Sequence, residues 1–247
     1  MQKNFDLVHN LLAKLQRAGV LDSIILIGSW CSLFYENYFS HQKYIPFIKT
    51  TDIDFLVPTP SKFHDKIDVA ELLKDDGFGV RHSNSGIIVL VHKELTIEFL
   101  VPDRGKGLKV PYPLPQFGLN AQPLRYLNFL AQNTISVESY GLKITVPHPA
   151  AYGLHKLIVS ERRTSEEKML KDRDGGLFVL RALIEKGESD TIKSMFNSMI
   201  PSWQKKVLDA LNKYNEQDVI RILKNDVQNK LSHIPTHDVQ HSRGHHR

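Results

Sequence analysis

Two carboxylates one residue apart, Asp52 and Asp54, stand inside the apolar run Thr51–Val57. On a strand, residues i and i+2 point to the same face. Adjacent acids repel, and a cation between them removes the repulsion. Hard oxygen donors in that arrangement suit a divalent metal and chemistry on phosphates. A third acid, Glu98, interrupts the apolar segment Leu95–Leu100. A buried, unpaired carboxylate is costly, so it needs a proton, a basic partner or a metal. If the two strands are neighbours, the three acids converge, and two Mg²⁺ ions there would hold a nucleoside triphosphate for in-line attack. Spacing alone leaves another reading open: Asp52 and Asp54 facing solvent on an edge strand, with Glu98 in an ion pair.

Gly28-Ser29 follows the apolar run Ile24–Ile27 and precedes Trp30–Phe39, which reads as a helix. Glycine lets backbone approach a ligand, and helix N-terminal amides favour phosphate. Neither G-x-x-x-x-G-K-[ST] nor G-x-G-x-x-G occurs, so the P-loop and Rossmann readings fail. On the basic side, Lys156 interrupts the apolar stretch Leu154–Ile158, and Arg162, Arg163, Lys168 and Lys171 follow. They either neutralise a triphosphate and its pyrophosphate leaving group or form a solvated helix face interleaved with Glu161, Glu166, Glu167 and Asp172.

These groups need a scaffold. The spacing of Phe5, Val8, Leu11, Leu12 and Leu15 predicts a helix over 4–18, with Asn4 as N-cap and Gly19 ending it. Strands are expected at 24–27, 51–57, 78–82, 86–92 and 95–101, and a helix over Phe63–Leu73. Residues 41–49 read as a loop or short strand. Pro102–Phe117 reads as a long basic loop carrying Arg104, Lys106 and Lys109. A short helix at Leu124–Ala131 and a hairpin around Tyr140-Gly141 come next. From Pro149 onward every segment reads as helical: 149–160, 164–186, 189–198, 202–213 and 216–231. The expected fold is α+β, an N-terminal mixed sheet followed by a helical domain. Expected domains are 1–148 and 149–232, with a disordered polar tail at 233–247. That tail carries five histidines, at 233, 237, 241, 245 and 246; Pro235 and Gly244 argue against a helical metal site there.

A hydrophobic content of 41% with 24% charged residues is ordinary for a soluble globular protein. No apolar run reaches the roughly 20 residues that span a bilayer, and no signal-peptide core follows Met1. A cytoplasmic protein without membrane contact is expected. The single cysteine, Cys31, excludes an internal disulfide and a cysteine metal site. At a helix start its thiol pKa would fall, though a packing role is expected for it, as for Trp30 and Tyr35. His155 reads as a packed helix residue. The net charge of +5 is compatible with nucleotides or nucleic acid.

The residues Ile27-Gly28-Ser29-Trp30, Thr51-Asp52-Ile53-Asp54-Phe55-Leu56 and Ile97-Glu98-Phe99 resemble the nucleotidyltransferase superfamily that includes DNA polymerase β. The segments 121–127, 146–149 and 155–163 resemble a bacterial nucleotidyltransferase-fold family similar to AbiEii-type toxins and small MNT-type enzymes. The likeness covers roughly 20–185. It departs in the long stretch between Ser29 and Thr51, in Trp30-Cys31 where a basic residue is common, and in Glu98 where Asp is usual.

The resemblance implies transfer of a nucleoside monophosphate from an NTP, ATP included, to a hydroxyl, with release of pyrophosphate. Asp52, Asp54 and Glu98 would be catalytic and bind Mg²⁺ (or Mn²⁺), Glu98 also serving as general base. Gly28, Ser29, Thr51, Lys156, Arg162, Arg163 and Lys168 would bind the nucleotide, and Lys171-Asp172 matches a basic–acidic pair of the toxins. The acceptor is open among RNA, a protein side chain and a small molecule. The alternative is an inactive binding or regulatory module, or the toxin-like half of a pair with an antitoxin-like partner.

Overall fold

The fold was obtained as a computed structural model and describes residues 2–39, 44, 50–59, 63, 65–103, 105 and 110–224. Helix α1 (Gln2–Arg17) is followed by Gly19 at φ +70° and by strand β1 (Ile25–Ile27). Asn4 lies inside α1, which begins two residues earlier. After β1 the chain makes one 3₁₀ turn at Gly28–Trp30 and only a four-residue helix, α2 (Cys31–Phe34), shorter than the expected Trp30–Phe39. Strand β2 (Asp52–Leu56) is next. Helix α3 (Val69–Leu73) starts late, because the Asp68 side chain accepts from the Glu71 amide and fixes its first turn there.

Strands β3 (Gly79–His82), β4 (Ile88–Val91) and β5 (Thr96–Pro102) sit where alternation placed them. The segment expected to be a loop contains β6 (Tyr112–Leu114), which pairs with β7 (Leu119–Leu124). The basic residues Arg104, Lys106 and Lys109 lie outside the described residues, as do most of 41–49 and the tail expected to be disordered. Helix α4 (Leu127–Gln132) leads to the hairpin β8 (Thr134–Ser139) and β9 (Leu142–Pro147). Its turn residues Tyr140 and Gly141 both have positive φ, the conformation a two-residue hairpin loop requires. Every described element after β9 is a helix: α5 (Pro149–Ser160), α6 (Glu166–Glu185), α7 (Ser189–Asn197), α8 (Pro201–Lys213) and α9 (Gln217–Lys224).

The fold is therefore α+β with a mixed sheet ordered β1-β2-β5-β4-β3, and β7 beside the C-terminal half of β5. Strands β2 and β5 are parallel; β1–β2, β4–β5 and β3–β4 are antiparallel. One sheet face carries Ile53, Phe55, Ile97, Phe99 and Leu90, all buried. Phe99 packs on Phe117 at 6.2 Å, and Phe117 on Phe63 at 5.1 Å. That apolar layer anchors β2 and β5 from behind and turns their alternate residues to the opposite face. The core is continuous from Val8 to Leu223. Among the described residues no helix is long and apolar enough to cross a membrane.

Two glycines bring α5 against α6. A Cβ on Gly153 would meet Leu180 Cγ at 2.6 Å, and one on Gly176 would meet the Gly153 carbonyl oxygen at 2.9 Å. Only hydrogen fits at either place. The helices approach closely enough for polar side chains of one to reach the other.

Candidate active site

Asp54 pairs in register with Glu98, and Asp52 with Thr96. Paired residues on adjacent strands point the same way, so Asp52, Asp54 and Glu98 share one face. Ile27, at the end of β1, pairs with Asp54 and delivers Gly28 to it. Gly28 has φ +76°, and a Cβ there would lie 2.5 Å from Asp54 Oδ2. Both the backbone angle and the space demand glycine.

The acids feel each other. Burial, and after it the Glu98 charge, push Asp54 up to about 7, although the Lys156 ammonium pulls the other way. Glu98 is raised by burial and by Asp52, against Arg81 and Lys168. Lys171 is lowered by burial and by Lys156, against the fields of Asp172, Asp52 and Asp54. Two cations from the helical elements, Lys156 on α5 and Lys171 on α6, therefore lie within electrostatic reach of Asp54.

Lys156 is not free. Its Nζ donates to Asp172 Oδ1 at 2.5 Å, and Arg163 Nε donates to Asp172 Oδ2 at 2.6 Å. The Asp172 side chain is only 5% exposed. Burial pushes its carboxyl up, but the two cations outweigh burial and hold it below the usual carboxylate range. Asp172 is thus a buried clamp and not one acid of a solvated face.

The other expected nucleotide-binding residues are dispersed. Arg162 Nη1 donates to the Tyr126 hydroxyl at 3.1 Å. Lys168 stands in the first turn of α6, behind the Ser165 cap, within electrostatic reach of Glu98. Ser29 is half-buried, and its carbonyl accepts from the Ser32 hydroxyl. Thr51 is exposed, with its carbonyl accepting from the Thr96 amide at 2.8 Å.

Cys31 corrects an expectation. Burial pushes its thiol well up, and Sγ donates to the Leu26 carbonyl oxygen at 2.9 Å. Desolvation outweighs the helix start because no water reaches the sulfur. Trp30 and Tyr35 are buried, as expected of packing residues. His155 is held neutral, pushed down to about 3 by burial and by Lys156.

The donor set fits a hard divalent cation in kind: carboxylate oxygens on one face, one carboxyl pushed up by burial and then by a like charge beside it. Its geometry is not closed. Among the described residues no group of three or more His, Cys, Asp or Glu side chains is set to hold a metal ion.

A family described as nucleotidyltransferase matches residues 6–200. The chain belongs to this nucleotidyltransferase family. No curated protein matches this nucleotidyltransferase in sequence. Among solved structures it is similar to an antigenic nucleotidyltransferase-like protein from Paracoccidioides brasiliensis, at 14% identity over 88% of this chain and 92% of that one, with a TM-score of 0.43. It is also similar to ANT(2'')-Ia, crystallised in complex with adenylyl-2''-tobramycin, at 9% identity over 87% and 99% of the two chains, with a TM-score of 0.44.

Sequence reasoning met Asp172 only in the Lys171-Asp172 pair implied by the resemblance and as a charge interleaved along a helix face, not as the partner of Lys156, and it did not weigh Gly153 or Gly176. A signal for Asp172 was present: a lysine inside the apolar stretch 154–158 demands a counter-charge from whatever packs on it.

Proposed function

We propose that this chain is a divalent-metal-dependent nucleotidyltransferase that moves a nucleoside monophosphate from an NTP to an acceptor hydroxyl. The observation that carries the reading is the register Asp54↔Glu98, with Gly28 against the Asp54 carboxylate. Asp52, Asp54 and Glu98 would hold Mg²⁺ or Mn²⁺. Such an ion, when bound, neutralises phosphate charge and lowers the pKa of the attacking hydroxyl.

The chain's own groups do the rest. Gly28 lets the phosphates approach the backbone beside Asp54, and Ser29 offers its hydroxyl to them. Lys156 and Lys171 place positive charge opposite the acids, where the triphosphate carries its negative charge. Glu98 accepts the proton of the acceptor hydroxyl. The acceptor oxygen bonds to the α-phosphorus, the bond from that phosphorus to the α,β-bridging oxygen breaks, and pyrophosphate leaves with the electron pair. Lys156 and Lys171 meet its charge. Arg163 serves through Asp172, which fixes Lys156.

The resemblance to AbiEii-type toxins and MNT-type enzymes extends the reading, because the basic–acidic pair Lys171-Asp172 supplies one residue facing the acids and one holding Lys156. An antitoxin-like partner belongs to that extension.

The test is transfer of label from each of the four α-labelled NTPs, with Mg²⁺ or Mn²⁺, into RNA, protein or small molecules of a cell extract. Transfer that Asp54→Asn abolishes in a folded protein supports the enzyme. Metal-dependent NTP binding without transfer favours a binding module.

A further inference from the structure

Tyr38, His148, Lys186 and Glu188 come from three separate stretches of chain and meet in one cluster. Tyr38 lies four residues beyond the end of α2, His148 caps α5, and Lys186 and Glu188 stand at the turn between α6 and α7. The Tyr38 hydroxyl donates to Glu188 Oε2 at 2.5 Å and lies 3.3 Å from His148 Nε2. Lys186 Nζ stands 3.7 Å from the Tyr38 ring centroid and 2.7 Å from Glu188 Oε1. The His148 amide donates to the Asn133 carbonyl oxygen at 2.8 Å, which ties the histidine to the end of α4.

These hydrogen bonds fix the tautomer. His148 Nδ1 accepts from the Ala150 amide at 3.1 Å, so in the neutral ring the proton sits on Nε2. That N–H donates to the Tyr38 oxygen, and Tyr38 donates its own hydrogen to Glu188. The arrangement requires a neutral imidazole. A second proton would go on Nδ1 and point at the Ala150 N–H, and a donor cannot cap a helix N-terminus. The added charge would also stand at the positive end of the α5 dipole.

The surroundings oppose that charge in one direction and invite it in another. Burial lowers the His148 pKa from its ordinary value; Glu188 works against the shift and Lys186 adds to it. Tyr38 and Asn133, from the other packed segments, are neutral. Burial pushes Glu188 up, but Lys186 and Tyr38 outweigh it and keep a carboxylate there. Burial and Glu188 raise Tyr38, which stays a donor. An imidazolium would therefore turn to Glu188, the oxygen of which Tyr38 now holds. The neutral and charged rings favour different partners, and Tyr38 is tied only by the first.

Such a cluster has a bland purpose, a static tie between segments. Ser, Asp or Asn at the cap would serve it, and helices favour those residues there. Histidine alone couples the cap to a proton near neutral pH.

We propose that His148 is a proton-operated latch: neutral, it caps α5 and holds Tyr38 against Glu188; protonated, it leaves the cap, pairs with Glu188, and releases both Tyr38 and the first turn of α5. The closed form is complete above the ordinary histidine value of 6.5 and is lost as pH falls through the lower folded value.

Backbone hydrogen exchange of the full chain, corrected for the intrinsic effect of pH on exchange, reads both sides of the latch. The reporters are the Ala150 and Tyr152 amides in α5 and the Phe39 amide, which donates to the Tyr35 carbonyl oxygen. Between about pH 7.5 and about pH 5, a range that spans histidine titration, protection at all three falls together by about tenfold, the worth of one helix cap. Amides of α8 keep theirs. His148→Asn, a capping residue that does not titrate, keeps its α5 protection across the range. It leaves Asp54 in place, and so separates the latch from the titration of that acid. Tyr38→Phe loses the pH response at Phe39 and keeps it at Ala150. Nitrogen NMR shifts of the wild-type His148 ring, which need no variant, titrate with the same midpoint as the exchange. Wild-type protection that ignores pH overturns the proposal, as does an equal loss in His148→Asn, a loss at Ala150 with Phe39 unmoved, or a ring midpoint different from that of the exchange.

Discussion

The carboxylate of Asp172 accepts from Lys156 across the α5–α6 contact at 2.5 Å, and its second oxygen takes Arg163 at 2.6 Å. Removing one member of a buried pair leaves the other charge stranded. Asp172→Ala therefore destabilises the fold by about 3 kcal/mol, measured by urea unfolding. Asp172→Asn keeps the shape, and it lowers transfer with any labelled acceptor because Lys156 loses its fixed position. The pH dependence follows from the lowered pKa. The carboxylate stabilises the fold above its unfolded value near 4, and that contribution is lost as pH falls through the lower folded value. Wild type and Asp172→Asn therefore converge in stability in strong acid.

Asp54 behaves the opposite way. Its folded pKa is raised to about 7, so the metal-free fold prefers it protonated. The stabilising contribution is complete below the unfolded value of about 4, erodes between 4 and 7, and is gone above 7. Asp54→Asn in a chelator should be more stable than wild type at pH 8, by on the order of 2–4 kcal/mol, with the gap closing near pH 4. Mg²⁺ stabilises wild type and not the variant. Thermal melts in chelator and in Mg²⁺ across that pH range check both statements.

Gly28→Ala introduces a methyl group 2.5 Å from Asp54 Oδ2 at a residue with φ +76°. It should cost about 1–2 kcal/mol of stability through the left-handed backbone and remove metal-dependent NTP binding. Calorimetric titration of NTP with Mg²⁺ reads the second effect. Retained affinity would show that the close approach of backbone to carboxylate has no part in nucleotide binding.

Gly176→Ala tests the helix contact on which the Lys156 clamp depends. The new methyl group meets the Gly153 carbonyl oxygen at 2.9 Å, and backbone cannot swing aside. The expected loss is about 1–3 kcal/mol in urea unfolding, typical of overpacking.

Much of this architecture is legible in the residues because strand side chains alternate. Ile53, Phe55, Ile97 and Phe99 had to be buried, which forced Asp52, Asp54 and Glu98 to the other face. That β2 lies directly beside β5, with Asp54 opposite Glu98, was not legible: register is set by tertiary packing of the apolar face. Strands β6 and β7 went unseen because Pro113 and Pro123 sit within them, and proline speaks against a strand unless its missing donor faces away from a partner. The Cys31 thiol was expected to shift downward because a helix start is visible in sequence and burial is not. Asp172 read as one more charge in an alternating run, or with Lys171 as the basic–acidic pair of the resemblance, and neither reading placed it inside against Lys156, where the Gly153–Gly176 approach puts it.

The claim beneath all of this is that Asp54 and Glu98 ligate one ion. The most direct measurement is anomalous scattering from a crystal soaked with Mn²⁺ and a non-hydrolysable NTP. The account predicts a manganese peak within coordination distance of Asp54 and Glu98 carboxylate oxygens, on the Gly28 side of the sheet. A nucleotide bound with no metal touching either carboxylate, or manganese held elsewhere in the chain, would contradict it.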